Sequence, residues 1–423
     1  MHAPRFAVLT AALAAPALFA ADWDRFRGPE GLGTALDTGL PVSIGPKEIV
    51  WKTPIPGRGN SSPIVSKGKV FLQTSADDNS TRSLVCVDAA SGKVAWAKDV
   101  KGGPPNQTIH NKNSMASSTP AADGERVYAV FWDGRHISLT AWDYAGTELW
   151  SKDLGPFKSQ HGPGLSPAVI GGRVILNVDQ DDLAEVQAFD PKTGDLVWKK
   201  SRPAFRASYT TPFVLHRDGK TEVIVSSTAG ITAYDPADGG VIWNWTWVWK
   251  TSGKKAGPGG PLRQVGGPIY HDGLIFAIAG DGGGDRHMVA IKPGTTGDVT
   301  DSALVWEKTR GTAYVPMVVA SGPYLFWIAD KENKAICAEA KTGKILWEER
   351  LPGSKPVTAS PVLVDGKVYS VSEDGRVYVF EAKAKFKLLA ESELKEDVFA
   401  SPAVADGRLY VRGGKHLFCI GKQ

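Results

Sequence analysis

The sequence predicts an all-β fold: an eight-bladed β-propeller of four-stranded antiparallel blades, closed by an N-terminal strand that completes the last blade. Three observations carry this. Short β-like runs separated by tight turns recur along the whole chain, and a turn-plus-tryptophan signature returns at a spacing of roughly 40–50 residues. The 3.6-residue periodicity that helical repeats require is absent.

The repeating unit is plainest between Ser166 and Trp198, SPAVIGGRVILNVDQDDLAEVQAFDPKTGDLVW. Pro167–Ile170, Arg173–Val178 and Glu185–Phe189 are short β-like runs, and a turn at Asp190–Gly194 leads into a fourth that closes on Trp198. Pro191 presets φ for that turn and Gly194 supplies a positive φ. Alternation over Val174–Val178 fits a strand with one face more buried than the other. One such four-stranded sheet is not stable alone and needs copies of itself. They are present: Asp88–Gly92 with Trp96, Asp143–Gly146 with Trp150, Asp235–Gly239 with Trp243, and Glu339–Gly343 with Trp347. A Ser/Thr/Gly-Pro opening recurs at Pro63, Pro120, Pro167, Pro212, Pro268, Pro361 and Pro402, with a degenerate copy at Val315-Pro316. The blade cores therefore start at Ser62, Thr119, Ser166, Thr211, Gly267, Val315, Ser360 and Ser401.

The pattern A-x-D-x-x-T-G-x-x-x-W, here Ala188, Asp190, Thr193, Gly194 and Trp198, resembles the tryptophan-docking repeat of pyrroloquinoline-quinone (PQQ) propellers. That superfamily contains quinoprotein alcohol dehydrogenases and also non-enzymatic eight-bladed scaffolds, such as the lipoprotein of the outer-membrane β-barrel assembly machinery. The resemblance extends over about Lys47 to Lys422. It implies the fold strongly and the activity weakly, because the docking tryptophan is architectural. A W-x-x-F-R-G-P opening, here Trp23 to Pro29, is similar to that of exported PQQ-like proteins.

In chain order, residues 1–20 read as a cleavable leader: Arg5, an apolar stretch over Phe6–Phe19, then small residues around Ala17–Ala21. No cysteine follows for a lipid anchor, so a periplasmic or secreted location is expected. Residues 21–46 are Gly/Pro-rich and read as an extended arm, with Trp23, Phe26 and Arg27 available to pack on the propeller. The propeller spans 47–423. Ile49–Thr53 is a fourth strand lacking its first three, while Ser401 to Lys422 holds three strands lacking a fourth, so the two should pair and close the ring. Blade five carries a longer turn, Pro293–Ser302, before Trp306. In blade seven Phe386–Leu394 stands in for the missing tryptophan. The longest insertion follows Trp243, Trp245, Trp247 and Trp249 and runs from Lys250 to Gln264. These four tryptophans share one face of a strand, either as a stacking platform or, the reading their gap-filling bulk favours, as packing for a neighbouring blade.

Composition narrows the function. The 49 basic and 45 acidic residues leave a formal charge of only +4, with no basic block to track phosphates, so nucleic acid is not expected as a partner. Cys86, Cys337 and Cys419 occupy one repeat position held by Ala141, Ala188 and Ala233 elsewhere, which places them in different blades, too far apart to bridge. A monomer is expected.

In a propeller the segments leading into each innermost strand and the loops between second and third strands share one face, around the channel mouth. The candidate ligand-binding residues there are Arg58, Asn60, His110, Asn113, His161, Arg206, Tyr209, Arg263, Asp281, His287 and Tyr314. His110, His161 and Arg206 suit a carboxylate or phosphate, or acid–base work near neutral pH, although loop histidines more often bond backbone. Asp179, Asp181, Asp182, Asp281 and Asp285 offer oxygen atoms, but without an EF-hand pattern they read as turn residues, and no metal site is expected. The resemblance makes PQQ and Ca²⁺ possible cofactors. However, this chain has no vicinal cysteine pair, and the family's metal trio and catalytic aspartate have no matching positions. The expected role is binding or scaffolding of a protein or small molecule at the polar top face, and the alternative is a divergent PQQ-dependent dehydrogenase.

Overall fold

A computed structural model describes residues 22–203, 205–251, 254–255, 262–353 and 355–422. The expected leader at 1–20 lies outside the described residues, as does most of the insertion after Trp249. Eight antiparallel sheets occupy residues 64–101, 121–156, 168–201, 213–246, 269–308, 319–350, 362–393 and, for the last, 403–420 with Ile49–Pro54. They are blades one to eight. Ring closure occurs where the sequence places it: Ile49–Pro54 runs antiparallel to His416–Ile420, with Trp51 opposite Cys419.

The position opposite each docking tryptophan explains the cysteines. Cys86 faces Trp96 and Cys337 faces Trp347, just as Ala141 faces Trp150, Ala188 faces Trp198 and Ala233 faces Trp243. An indole on the outer strand leaves room only for a small side chain on the third. All three cysteines are free and buried.

Neighbouring blades are joined through the indoles. Trp51, Trp96, Trp150, Trp198, Trp306 and Trp347 each donate Nε1–H, at 2.8–3.1 Å, to a backbone carbonyl in the third-to-fourth-strand turn of the next blade. The rings lie flat enough on these turns that a Cβ on Gly92, Gly194 or Gly239 would sit 2.6 Å from ring carbons. Glycine is thus required twice there, for its positive φ and for the close approach. Blade four departs from the pattern: Trp243 donates to Glu222 at 2.9 Å. Gly297–Asp298, in the long turn of blade five, adds a parallel fifth strand at the outer edge of blade four. In blade seven the residue aligned with the indoles is Ala390, opposite Val379. Phe386 therefore does not replace the tryptophan; it packs on Trp347 of blade six, with centroids 4.9 Å apart.

One blade opening is also shifted. In the other seven blades the residue before proline lies two positions ahead of the inner strand; in blade six that place is taken by Met317, ahead of Val319–Ser321, and not by Val315. Its role shows why hydroxyls recur there. Met317 N–H donates to Ser360 Oγ, Ser360 N–H to Ser401 Oγ, Ser401 N–H to Ser62 Oγ, Ser62 N–H to Thr119 Oγ1, and Thr119 N–H to Ser166 Oγ. A belt of hydrogen bonds thus links the inner ends of six consecutive blades.

The arm crosses the channel below this belt. Trp23 O accepts from Val65 N, Asp24 O accepts from Ala122 N, and Thr34–Ala35 pairs in parallel with Val362–Val364. Arg27 is 2% exposed and donates to the carbonyls of Pro361, Val318 and Leu32 at 2.8, 2.7 and 2.8 Å. The segment the sequence reads as an extended arm is a plug tied to blades one, two, six and seven.

Candidate ligand site at the channel mouth

Above the plug lies a cavity of about 250 Å³. Phe26 of the arm lines it, with Ser62, Thr119, Ser166, Thr211, Ser360 and Ser401 of the inner strand openings. Higher up come Asn60, His110, Asn113, His161, Tyr209 and Tyr314, together with Val265, Val315, Met317 and Phe399. Six of the eleven candidate residues therefore meet around one space. They converge because each precedes an inner strand, and the inner strands point at the axis.

Hydrogen bonds fix this rim. His161 Nε2 lies 2.6 Å from Nη1 of Arg263. An arginine only donates, so this histidine is an acceptor there and carries its proton on Nδ1. Burial, the Arg263 charge and neighbouring His110 hold His161 down at about 4, so it is neutral near pH 7. Its ring meets that of His110 edge-on, with centroids 5.1 Å apart. The carbonyl of His161 accepts from Asn113 Nδ2 at 2.8 Å, and the carbonyl of Lys112 accepts from Asn60 Nδ2 at 2.9 Å. Lys112 reaches over to Glu373 of blade seven, 2.6 Å away, and ties the loop after blade one to the far side of the mouth.

Arg263 and Arg206 stand behind this wall and share Gln160 Oε1 as an acceptor. Burial raises the phenol of Tyr209 to about 12 and also raises that of Tyr314, so both are protonated hydroxyls. The Arg286 guanidinium sits 5.0 Å from the Tyr314 ring centroid.

The other candidates lie apart from the cavity. Arg58 is exposed and pairs with Asp77. Asp281 accepts from the backbone N–H groups of Gly284 and Asp285 in its own loop. His287 is 1% exposed between blades four and five, where Nδ1 accepts from Trp247 Nε1 at 3.0 Å and Nε2 faces Glu307. Trp247 and Trp249 stack at 4.3 Å, and both are fully buried, as is Trp243, so the tryptophan run packs the blade-four edge and offers no exposed platform.

Among the other acids, Asp179 forms a buried ion pair with Arg202, Asp181 accepts from Ala207 N, and Asp182 pairs with Lys158. Among the described residues no three His, Cys, Asp or Glu side chains are grouped to hold a metal ion. Among the described residues the cavity lining contains no carboxylate and no cysteine. A Ca²⁺-held quinone needs several hard oxygen ligands, carboxylates above all, so these residues do not fit it.

Sequence reasoning missed Phe26 and the ring of hydroxyls as parts of this space. The Ser/Thr-Pro repeat was the available signal, since a polar residue fixed at one blade position must recur around the axis.

A family model described as outer membrane protein assembly factor BamB matches residues 37–139, 80–326 and 296–385. The chain belongs to this PQQ-like β-propeller family. It is 21% identical to the outer membrane protein assembly factor BamB of Moranella endobia, over 84% of this chain and 82% of the relative. It is 25% identical to the quinohemoprotein alcohol dehydrogenase ADH IIB of Pseudomonas putida, over 66% of this chain, and it spans only 42% of that enzyme's length. Among solved structures, BamB of Moraxella catarrhalis superposes with a TM-score of 0.58 at 15% identity, covering 91% of this chain and all of that one. The quinohemoprotein alcohol dehydrogenase ADHIIG of Pseudomonas putida gives 0.63 at 14% identity, covering 95% and 80%. At such identities the superpositions speak for the propeller alone. No helix among the described residues is long and apolar enough to cross a membrane.

Proposed function

We propose that this PQQ-like propeller is an exported binding or scaffold protein, periplasmic or secreted, that engages its partner or a small ligand at the polar mouth of its channel. One observation carries the reading. The six candidate rim residues converge on a cavity that Phe26 lines from the arm side and whose lining, among the described residues, has no carboxylate to ligate a cation. A neutral His161 whose Nε2 lone pair is taken up by Arg263, two protonated phenols and fixed amides make a recognition surface. The near full-length match to proteins named as assembly factors supports the same side of the family.

The dehydrogenase reading rests on the partial match to quinoprotein enzymes. Titration with PQQ, with and without Ca²⁺, followed by absorbance and melting temperature, separates the two. The expected result is no saturable shift in either condition, whereas a ligand-dependent rise in Tm with Ca²⁺ would overturn the binding-protein reading. In the same protein His110→Ala with His161→Ala should abolish capture of the partner recovered from envelope extract while leaving the melt cooperative. Unchanged capture would remove the mouth from consideration.

A further inference from the structure

Five hydroxyls stand around the channel with their oxygens engaged and their hydrogens not. Ser62, Thr119, Ser166, Ser360 and Ser401 each accept a backbone N–H, at 2.9–3.1 Å, from the opening of the blade before. A hydroxyl that accepts in this way still has one hydrogen to donate. Among the described residues none of the five donates to a protein acceptor, and all five line the cavity. The propeller symmetry that builds the belt thus turns five O–H donors toward one space.

The charge around that space has the matching sign. Arg263, 5% exposed behind His161, has Gln160 and His161 as its side-chain acceptors, both neutral, and makes no ion pair among the described residues. Among the described residues the lining itself contributes no carboxylate, and Lys112 is already matched by Glu373. Donors without acceptors, in a cavity whose His161 wall is backed by an unmatched buried cation, favour a guest rich in acceptor oxygen. The apolar part of the wall comes from Phe26, Val265, Val315, Met317 and Phe399. At about 250 Å³ the space falls below the roughly 300–1,000 Å³ of drug-sized ligand sites.

We infer that the cavity is a receptor for a small organic anion, whose carboxylate takes the hydroxyl crown and whose apolar body lies against Phe26, Met317 and Phe399. This rests on the reading that the mouth is a binding site, and adds the chemistry of what enters it. Serine and threonine suit the task because each holds the ring together through its oxygen and addresses the guest through its hydrogen.

The test uses benzoate as probe and benzamide, of the same shape and neutral, as control, with calorimetric titration of the purified chain. Benzoate should bind saturably and at least tenfold more tightly than benzamide, the worth of a charge-assisted hydrogen bond. Ser360→Cys with Ser401→Cys keeps the volume and weakens both roles of the hydroxyl, and should cost benzoate about tenfold. Because that pair also loosens the belt, Phe26→Trp serves as a second variant. It fills the space from the arm side, leaves every hydroxyl in place, and should abolish binding. No saturable benzoate binding to a cooperatively melting wild type, or equal affinity for benzamide, overturns the inference. If benzoate fails while the His110→Ala, His161→Ala protein still loses its captured partner, the anion crown falls and the mouth reading stands. If benzoate binds and that double variant captures normally, the converse holds.

Discussion

Arg27→Met removes the centre of the plug at nearly constant volume. The guanidinium holds three carbonyls, two of them, Pro361 and Val318, belonging to the inner openings of adjacent blades, and burial lowers its pKa to about 9. Two effects compete. Removing a buried cation relieves desolvation, while buried carbonyls left without donors cost about 1–3 kcal/mol each. Three carbonyls lose a donor against one charge relieved, so the loss wins, and a net destabilisation of ~2–4 kcal/mol is expected. In a propeller of this length that lowers Tm by ~3–5 °C if the ring melts as one unit. The sharper assay is hydrogen exchange. Amides of Leu32 and Gly33, and Leu363, which donates to Gly33 O, should lose protection, whereas strands in blades three and four should not change. An unchanged Tm together with unchanged exchange at Leu363 would show that the arm is held by its apolar contacts, and would refute the reasoning from buried donors.

The acid limb of stability should belong in part to His161. Its folded pKa, about 4, lies below the ordinary 6.5, so the unfolded chain binds the proton more tightly and stability falls as pH drops from about 6.5 toward 4. His161→Gln, which keeps an acceptor for Arg263, should flatten that part of a Tm-against-pH curve, and an identical curve would count against the shift. Gly194→Ala adds a Cβ 2.6 Å from the Trp150 ring at φ +70°, whereas Gly172→Ala, at φ +73°, meets nothing within 4 Å. Chemical denaturation should show a loss of ~2–4 kcal/mol for the first and ~1 kcal/mol for the second, and equal losses would mean that backbone strain alone matters. Burial pushes the thiols of Cys86 and Cys337 up to about 12 and that of Cys419 to about 11. None should react with an aromatic disulfide reagent at pH 8 until the protein is unfolded, and prompt labelling of any one would place it outside the core.

The sequence by itself determined the blades, their number and the closure of the ring. The reason is that those features are local and repeated: a turn glycine at positive φ, an indole eight or so residues after the third strand, a small side chain opposite it, and a Pro-led opening. Each copy reinforces the others, so even the incomplete fragments at the two ends of the propeller identify each other. It also brought six rim residues to one mouth, because position within a repeat translates directly into position around an axis. It failed where the repeat breaks. Val315-Pro316 mimics an opening that the structure assigns to Met317, and Phe386 mimics a missing indole while serving the blade before it.

Only the tertiary structure decided the fate of the arm, of His287 and of the hydroxyls. Trp23, Phe26 and Arg27 have no periodicity to declare them, and their partners Val65, Val318 and Pro361 are distant in sequence. His287 sits on the strand side of its loop, where one residue of register turns the side chain from the rim to the interior against Trp247. The hydroxyls are legible one at a time as turn residues; that they line a common space follows only once eight copies have been bent into a ring.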